Sequence, residues 1–125
     1  MKLKKVLIID DEQVICQLVK TSLENLWPTL KVDTCTDGQV AVRQVEMSKP
    51  NLILLDINMP GVSGTDIAMK LKERADTQSI PIVFLTGMLT KEEALSKGNQ
   101  IGGEFFLAKP VSINELVQTV ERFIQ

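Results

Sequence analysis

The sequence contains no histidine. That excludes histidine-based metal sites, histidine-dependent catalytic triads and any phosphohistidine on this chain. Cysteine is scarce, with Cys16 and Cys35 alone. Cys16 falls on a predicted helix and Cys35 at the end of a predicted strand. Both read as reduced, partly buried thiols of a cytosolic protein rather than as a disulfide. Long apolar runs are missing too. Val6–Ile9 and Leu52–Leu55 are strand-length, and nothing approaches a membrane span. The basic opening, Met1–Lys5, leads into an apolar run that stops at Asp10, Asp11 and Glu12, too short for a signal peptide. Neither sign of charge dominates, because 14 Lys and Arg stand against 16 Asp and Glu for a net −2. That balance speaks against a nucleic-acid-binding or anionic-membrane surface.

What is present is an ordinary globular composition: 44% hydrophobic and 24% charged residues over 125 positions. This suits one domain, residues 1–125, with a single sizeable core. Strand-like apolar runs alternate with amphipathic stretches. The strands read Val6–Ile9, Leu30–Cys35, Leu52–Leu55, Ile82–Leu85 and Phe105–Leu107. Their continuous Val, Ile and Leu content is that of parallel strands buried on both faces. The helices read Gln13–Leu26, Gly38–Met47, Gly64–Glu73, Lys91–Ser96 and Ile113–Phe123. Ser112-x-x-Glu115 and Thr90-x-x-Glu93 are capping boxes, while Trp27-Pro28 and Lys49-Pro50 close the first two helices. Strict alternation predicts an α/β fold: a doubly wound, flavodoxin-like parallel sheet of five strands in order 2-1-3-4-5, with helices on both faces. In such sheets chemistry sits beyond the carboxyl ends of the strands, where the winding reverses.

The strand ends carry Asp10 and Asp11, then Asp56, then Thr86, then Lys109. Singly, each has an unremarkable reading: Asp as cap or turn residue, Thr as strand end, Lys as surface charge. Jointly they bring three carboxylates, a hydroxyl and an ammonium to one rim. Three clustered acids repel and push up at least one pKa. A hard divalent cation relieves this, and oxygen donors without His or Cys point to Mg²⁺. A carboxylate beside Mg²⁺, flanked by Lys and a hydroxyl, suits phosphoryl transfer, where catalysis is largely positioning and charge neutralisation. Asp56, on the central strand, is the expected nucleophile.

These residues resemble the receiver domain of bacterial two-component response regulators. The matching stretches are Val6-Leu-Ile-Ile-Asp-Asp-Glu12, Leu54-Leu-Asp-Ile-Asn-Met-Pro-Gly61, Pro81-Ile-Val-Phe-Leu-Thr-Gly87 and Phe105-Phe-Leu-Ala-Lys-Pro110, in family order and spacing along the whole chain. The resemblance implies a signalling domain that catalyses only its own phosphorylation and dephosphorylation. Asp56 takes a phosphoryl group from a phosphohistidine on a sensor kinase or phosphotransfer protein. Asp11 and Asp56 bind Mg²⁺ through carboxylates, Asn58 through its backbone carbonyl and Asp10 through water. Lys109 contacts the phosphoryl group, Thr86 donates to it and moves inward, and Phe106 is the switch aromatic. The face of the fourth helix, fifth strand and fifth helix then changes its preference for a downstream effector domain or protein. A cis Lys109–Pro110 bond, a monomer or weak phosphorylation-dependent dimer, and a cytoplasmic place complete the expectation.

Three features depart from the family's common form. Thr86 and Lys109 are 23 positions apart (109 − 86), about one more than usual. The segment Gly98–Gly103 holds three glycines, so the fourth helix is expected to be short or mobile there. Gly87 replaces the common Ala but stays small. Three other readings compete. A haloacid-dehalogenase-like phosphohydrolase needs a second Asp two positions after the nucleophile, where Asn58 stands and cannot act as acid or base. A flavin module needs a phosphate-cradling loop after the first strand, where three acids stand instead. A degenerate receiver that binds partners without phosphorylation would not need all five key positions filled.

Overall fold

Continuous apolar runs become parallel strands because both of their faces find a helical cover. The computed structural model describes residues 4–101 and 103–124; the first three residues of the basic opening lie outside the described residues. Strands β1 (Lys4–Ile9), β2 (Leu30–Cys35), β3 (Leu52–Asp56), β4 (Ile82–Thr86) and β5 (Glu104–Ala108) form the sheet. Helices α1 (Gln13–Leu26), α2 (Ala41–Ser48), α3 (Gly64–Lys72), α4 (Lys91–Ser96) and α5 (Ile113–Ile124) connect or follow them. The strand order is β2-β1-β3-β4-β5, all parallel, as the alternation predicts. The winding reverses between β1 and β3. No described helix is long and apolar enough to cross a membrane.

Alternate side chains of each strand feed two separate cores. On one face Val6, Ile8, Leu52, Leu54 and Leu85 pack against Cys16, Val19 and Leu23 of α1 and Leu116 and Val120 of α5. On the other, Leu7, Ile9, Ile53, Leu55 and Phe84 pack against Val45 of α2 and Ile67 and Leu71 of α3. Leu52 through Leu55 are all fully buried, which is why β3 reads as an unbroken apolar run. Burying each such side chain contributes roughly 1.5–3 kcal/mol. Cys16 and Cys35 are both free and buried, and they sit in opposite cores with the sheet between them.

Helix ends follow their local chemistry. Both capping boxes form: Thr90 with Glu93, and Ser112 with Glu115. The second helix departs from expectation at its start. Gly38–Val40 is a 3-10 turn capped by the Asp37 carboxylate on the Gln39 amide, and the α-helix begins at Ala41. It ends at Lys49 in a left-handed conformation, φ 48°. The described part of the glycine-rich segment follows its local chemistry too. The fourth helix stops at Ser96, and Gly98 and Asn99 turn the chain with φ of 63° and 60°. Gly enters that conformation without steric cost and Asn with little. The turn delivers Gln100–Ile101 as a short antiparallel strand on the edge of β5. The stretch is therefore a turn and a short edge strand; its residue 102 lies outside the described residues.

Candidate functional site

Asp56 is the last residue of β3, with β1 and β4 on either side, and it is only 3% exposed. Its carboxylate accepts the Asn58 amide at 3.2 Å, an Asx-type turn that bends the chain out of the sheet. Asn58–Met59 then pairs antiparallel with Val62–Ser63, a ribbon the sequence did not suggest. Ser63 caps α3 by accepting the Thr65 amide. Gly64 follows directly beneath Asp56. Its amide donates to the Ile57 carbonyl at 2.8 Å, and a Cβ there would lie 2.3 Å from the Asp56 carbonyl oxygen. Only glycine permits that approach.

Asp10 follows β1 and is fully buried. One of its oxygens accepts the Glu12 amide at 3.0 Å and the other faces Lys109. Asp11 is exposed beside it. Carboxylate oxygens of Asp10, Asp11 and Asp56 all lie within 4.8 Å of one another. Thr86 ends β4, buried, and its Oγ1 accepts the Met88 amide at 3.0 Å. Thr86 pairs across the sheet with Ala108, and the Lys109 amide donates to the Thr86 carbonyl at 2.8 Å. The register brings Lys109 alongside Thr86 across their longer separation in sequence. The Lys109–Pro110 bond is cis. The Lys109 ammonium lies 3.2 Å from Asp10 Oδ2 and 3.2 Å from Asp56 Oδ1. Phe106 is half-buried and stacks on Phe84 with ring centroids 5.3 Å apart. Met88 is 77% exposed and Asn58 is exposed.

One ammonium among three carboxylates leaves the site short of positive charge. Burial, followed by the charge of Asp10, holds Asp56 above the ordinary carboxylate range, against the opposing pull of Lys109 and the Asn58 amide. Burial works against the Lys109 charge, but Asp10 and Asp56 outweigh it and raise its pKa. The donors are all oxygen, two of the acids are buried, and the group suits a small hard cation.

The model of the response regulator receiver domain matches residues 6–121. The chain belongs to that family. It is a receiver, a phosphorylation-dependent signalling switch of the two-component type. It is 35% identical over 121 residues to the nisin biosynthesis regulatory protein NisR of Lactococcus lactis, covering 97% of this chain and 50% of that protein. It is 30% identical over 123 residues to the phosphate regulon transcriptional regulatory protein PhoB of Rhizobium meliloti, covering 98% and 53%. The receiver thus spans about half the length of the curated relatives it matches. Among solved structures, the chemotaxis response regulator CheY4 of Vibrio cholerae superposes with a TM-score of 0.80 at 27% identity, covering 98% of this chain and 99% of that one. The receiver domain of the sensor histidine kinase PA1611 from Pseudomonas aeruginosa, solved with a magnesium ion coordinated in its active site cleft, gives 0.79 at 26% identity, covering 98% of each.

Two features beside these residues were not legible in sequence. Gly64 read only as a helix start. Lys91 read only as the first residue of a helix, yet its ammonium donates to the Ala108 carbonyl at 2.7 Å, the Pro110 carbonyl at 2.6 Å and Glu115 Oε1 at 2.7 Å. Those partners lie 17 to 24 positions away, and no local pattern marks them.

Proposed function

We propose that Asp56 accepts a phosphoryl group from a phosphohistidine of a sensor histidine kinase or phosphotransfer protein, and that residues 1–125 act as one such switch. An oxygen of the Asp56 carboxylate attacks phosphorus. The new O–P bond forms as the donor's N–P bond breaks, and the imidazole nitrogen keeps the electron pair. Lys109, already within 3.2 Å of Asp56, follows the negative charge onto the phosphoryl oxygens. The Thr86 hydroxyl accepts the Met88 amide, and its own hydrogen can donate to the same oxygens. Asp11 and Asp56 would hold Mg²⁺ through carboxylates, Asn58 through its backbone carbonyl and Asp10 through water. Bound there, the ion supplies positive charge that a loose, anionic transition state needs. Phe106, stacked on Phe84, is the aromatic that follows Thr86 as the face of α4, β5 and α5 changes its preference for a downstream effector domain or protein. The balanced net charge of −2 supports a protein rather than a nucleic acid as direct partner. Free, buried thiols support a cytoplasmic place, and the protein is read as a monomer or weak phosphorylation-dependent dimer that turns over no substrate besides its own phosphoryl group.

The observation that carries this reading is the Lys109 ammonium on Asp56, with the oxygens of Asp10 and Asp11 within 4.8 Å. Acetyl phosphate or phosphoramidate with Mg²⁺ is expected to add one phosphoryl mass, and Asp56→Asn to abolish it. Mapping of the phosphate to any other residue would overturn the assignment, and sustained hydrolysis of small phosphomonoesters would favour a hydrolase.

A further inference from the structure

Lys91 is the first residue of α4, directly after the Thr90 cap. An ammonium has three donors and no acceptor, and the three bonds of Lys91 use them all. Two go to the carbonyls of Ala108 and Pro110, at 2.7 and 2.6 Å. These are the residues on either side of Lys109. The third goes to Glu115, whose carboxylate also accepts the Ser112 amide in the α5 capping box. A surface ion pair between two mobile side chains contributes little. A lysine held on two backbone carbonyls and an anchored carboxylate does something else: it restrains the backbone it grips. The gripped segment carries the ammonium that lies 3.2 Å from both Asp10 and Asp56. The Lys109 amide on the Thr86 carbonyl is a further backbone restraint on that segment.

We propose that Lys91 is a positioning residue for phosphoryl transfer, fixing the backbone on both sides of Lys109 and so aiming that ammonium at Asp56. This rests on the reading of Asp56 as phosphoacceptor and extends the machinery to the first turn of α4. Misplacement of a reacting or stabilising group by about 1 Å can cost up to ~100-fold in rate, so loss of the grip is felt at the chemistry without removal of any group that touches the phosphate.

The test measures phosphorylation rates with phosphoramidate at saturating Mg²⁺ in the full chain, for wild type, Lys91→Met, Lys109→Met and the double variant. Lys91→Met is expected to slow uptake about tenfold, with Mg²⁺ affinity from direct titration unchanged. In the Lys109→Met background the same substitution is expected to have no further effect, because residues acting through one group are not additive. Lys91→Arg, which keeps the donors, is expected to restore most of the rate. An unchanged rate in Lys91→Met, or an undiminished loss in the Lys109→Met background, overturns the proposal. Should Lys91→Met not fold, Glu115→Gln takes its place with the same two outcomes. Wild type that takes up no phosphoryl group refutes the reading of Asp56 itself, and this proposal with it.

Discussion

The backbone of Gly64 runs so close to the Asp56 carbonyl that a Cβ on residue 64 would sit 2.3 Å from that oxygen. The neighbour is main chain, so no side-chain rotation relieves the clash. Gly64→Ala is expected to destabilise the fold by about 1–3 kcal/mol, the usual cost of overpacking, and to slow phosphoryl uptake because the end of β3 must shift. Urea melts and intact-mass kinetics check both; a variant as stable and as fast as wild type would refute this account of the turn.

Asp56 is held above the ordinary carboxylate range by its burial and by Asp10. An acid whose folded pKa exceeds its unfolded value binds its proton more tightly when folded, so folding loses stability as pH rises through that interval. At neutral pH and without divalent metal, Asp56 therefore works against the fold. Asp56→Asn removes the charge and keeps an acceptor for the Asn58 amide. Its Tm in EDTA at pH 7 is expected to lie a few degrees above wild type, with the gap closing towards about pH 4. A lower Tm than wild type at pH 7 would contradict the charge argument.

Asp11 is the exposed member of the acidic group, and Asp10 and Asp56 are buried. Asp11→Ala is thus expected to leave the metal-free fold within about 0.5 kcal/mol of wild type. The stabilisation that Mg²⁺ gives by mass action is expected to fall sharply. Paired melts with and without Mg²⁺ decide it, and an unchanged Mg²⁺-induced shift would remove Asp11 from the metal site.

Much of this was legible in the sequence, for reasons particular residues make clear. Val6–Ile9 and Leu52–Leu55 are apolar at every position because both faces of the sheet are covered, so the strands and their parallel order could be read directly. Asp10, Asp56, Thr86 and Lys109 each stand where a strand ends, and the topology then brings them together. What could not be read depends on backbone geometry or on distant pairing. The 3-10 start of the second helix, the ribbon Asn58–Met59 with Val62–Ser63, and the edge strand Gln100–Ile101 are too short to carry a periodicity. The Glu24 carboxylate that accepts the Val32 amide, and the Lys91 grip on the loop after β5, join residues with no local signal between them.

Met88 is bound at its amide to Thr86 Oγ1, while its side chain stands 77% exposed. It offers no polar group to orient an attacking water, and Asn58 alone positions water more loosely than two groups would. Met88→Glu and Met88→Gln are each expected to speed loss of the phosphoryl group about two- to tenfold. The decay of intact phosphorylated mass in matched Mg²⁺ reports this. If neither variant decays faster than wild type, residue 88 does not govern access of water.

The two cysteines lie in separate cores, Cys16 on the inner face of α1 in the core shared with α5, and Cys35 at the end of β2 in the core beneath α2 and α3. Burial, with the nearby Asp10 charge next, pushes the Cys16 thiol up to about 11, and burial raises Cys35 as well. Neither reacts with an alkylating agent until its own layer lifts from the sheet and the thiol can ionise. The native chain therefore carries one chemical clock in each half. Labelling rates at Cys16 and Cys35 measure the opening free energies of the two helical layers independently, and comparing them with and without phosphorylation tells which layer the switch loosens.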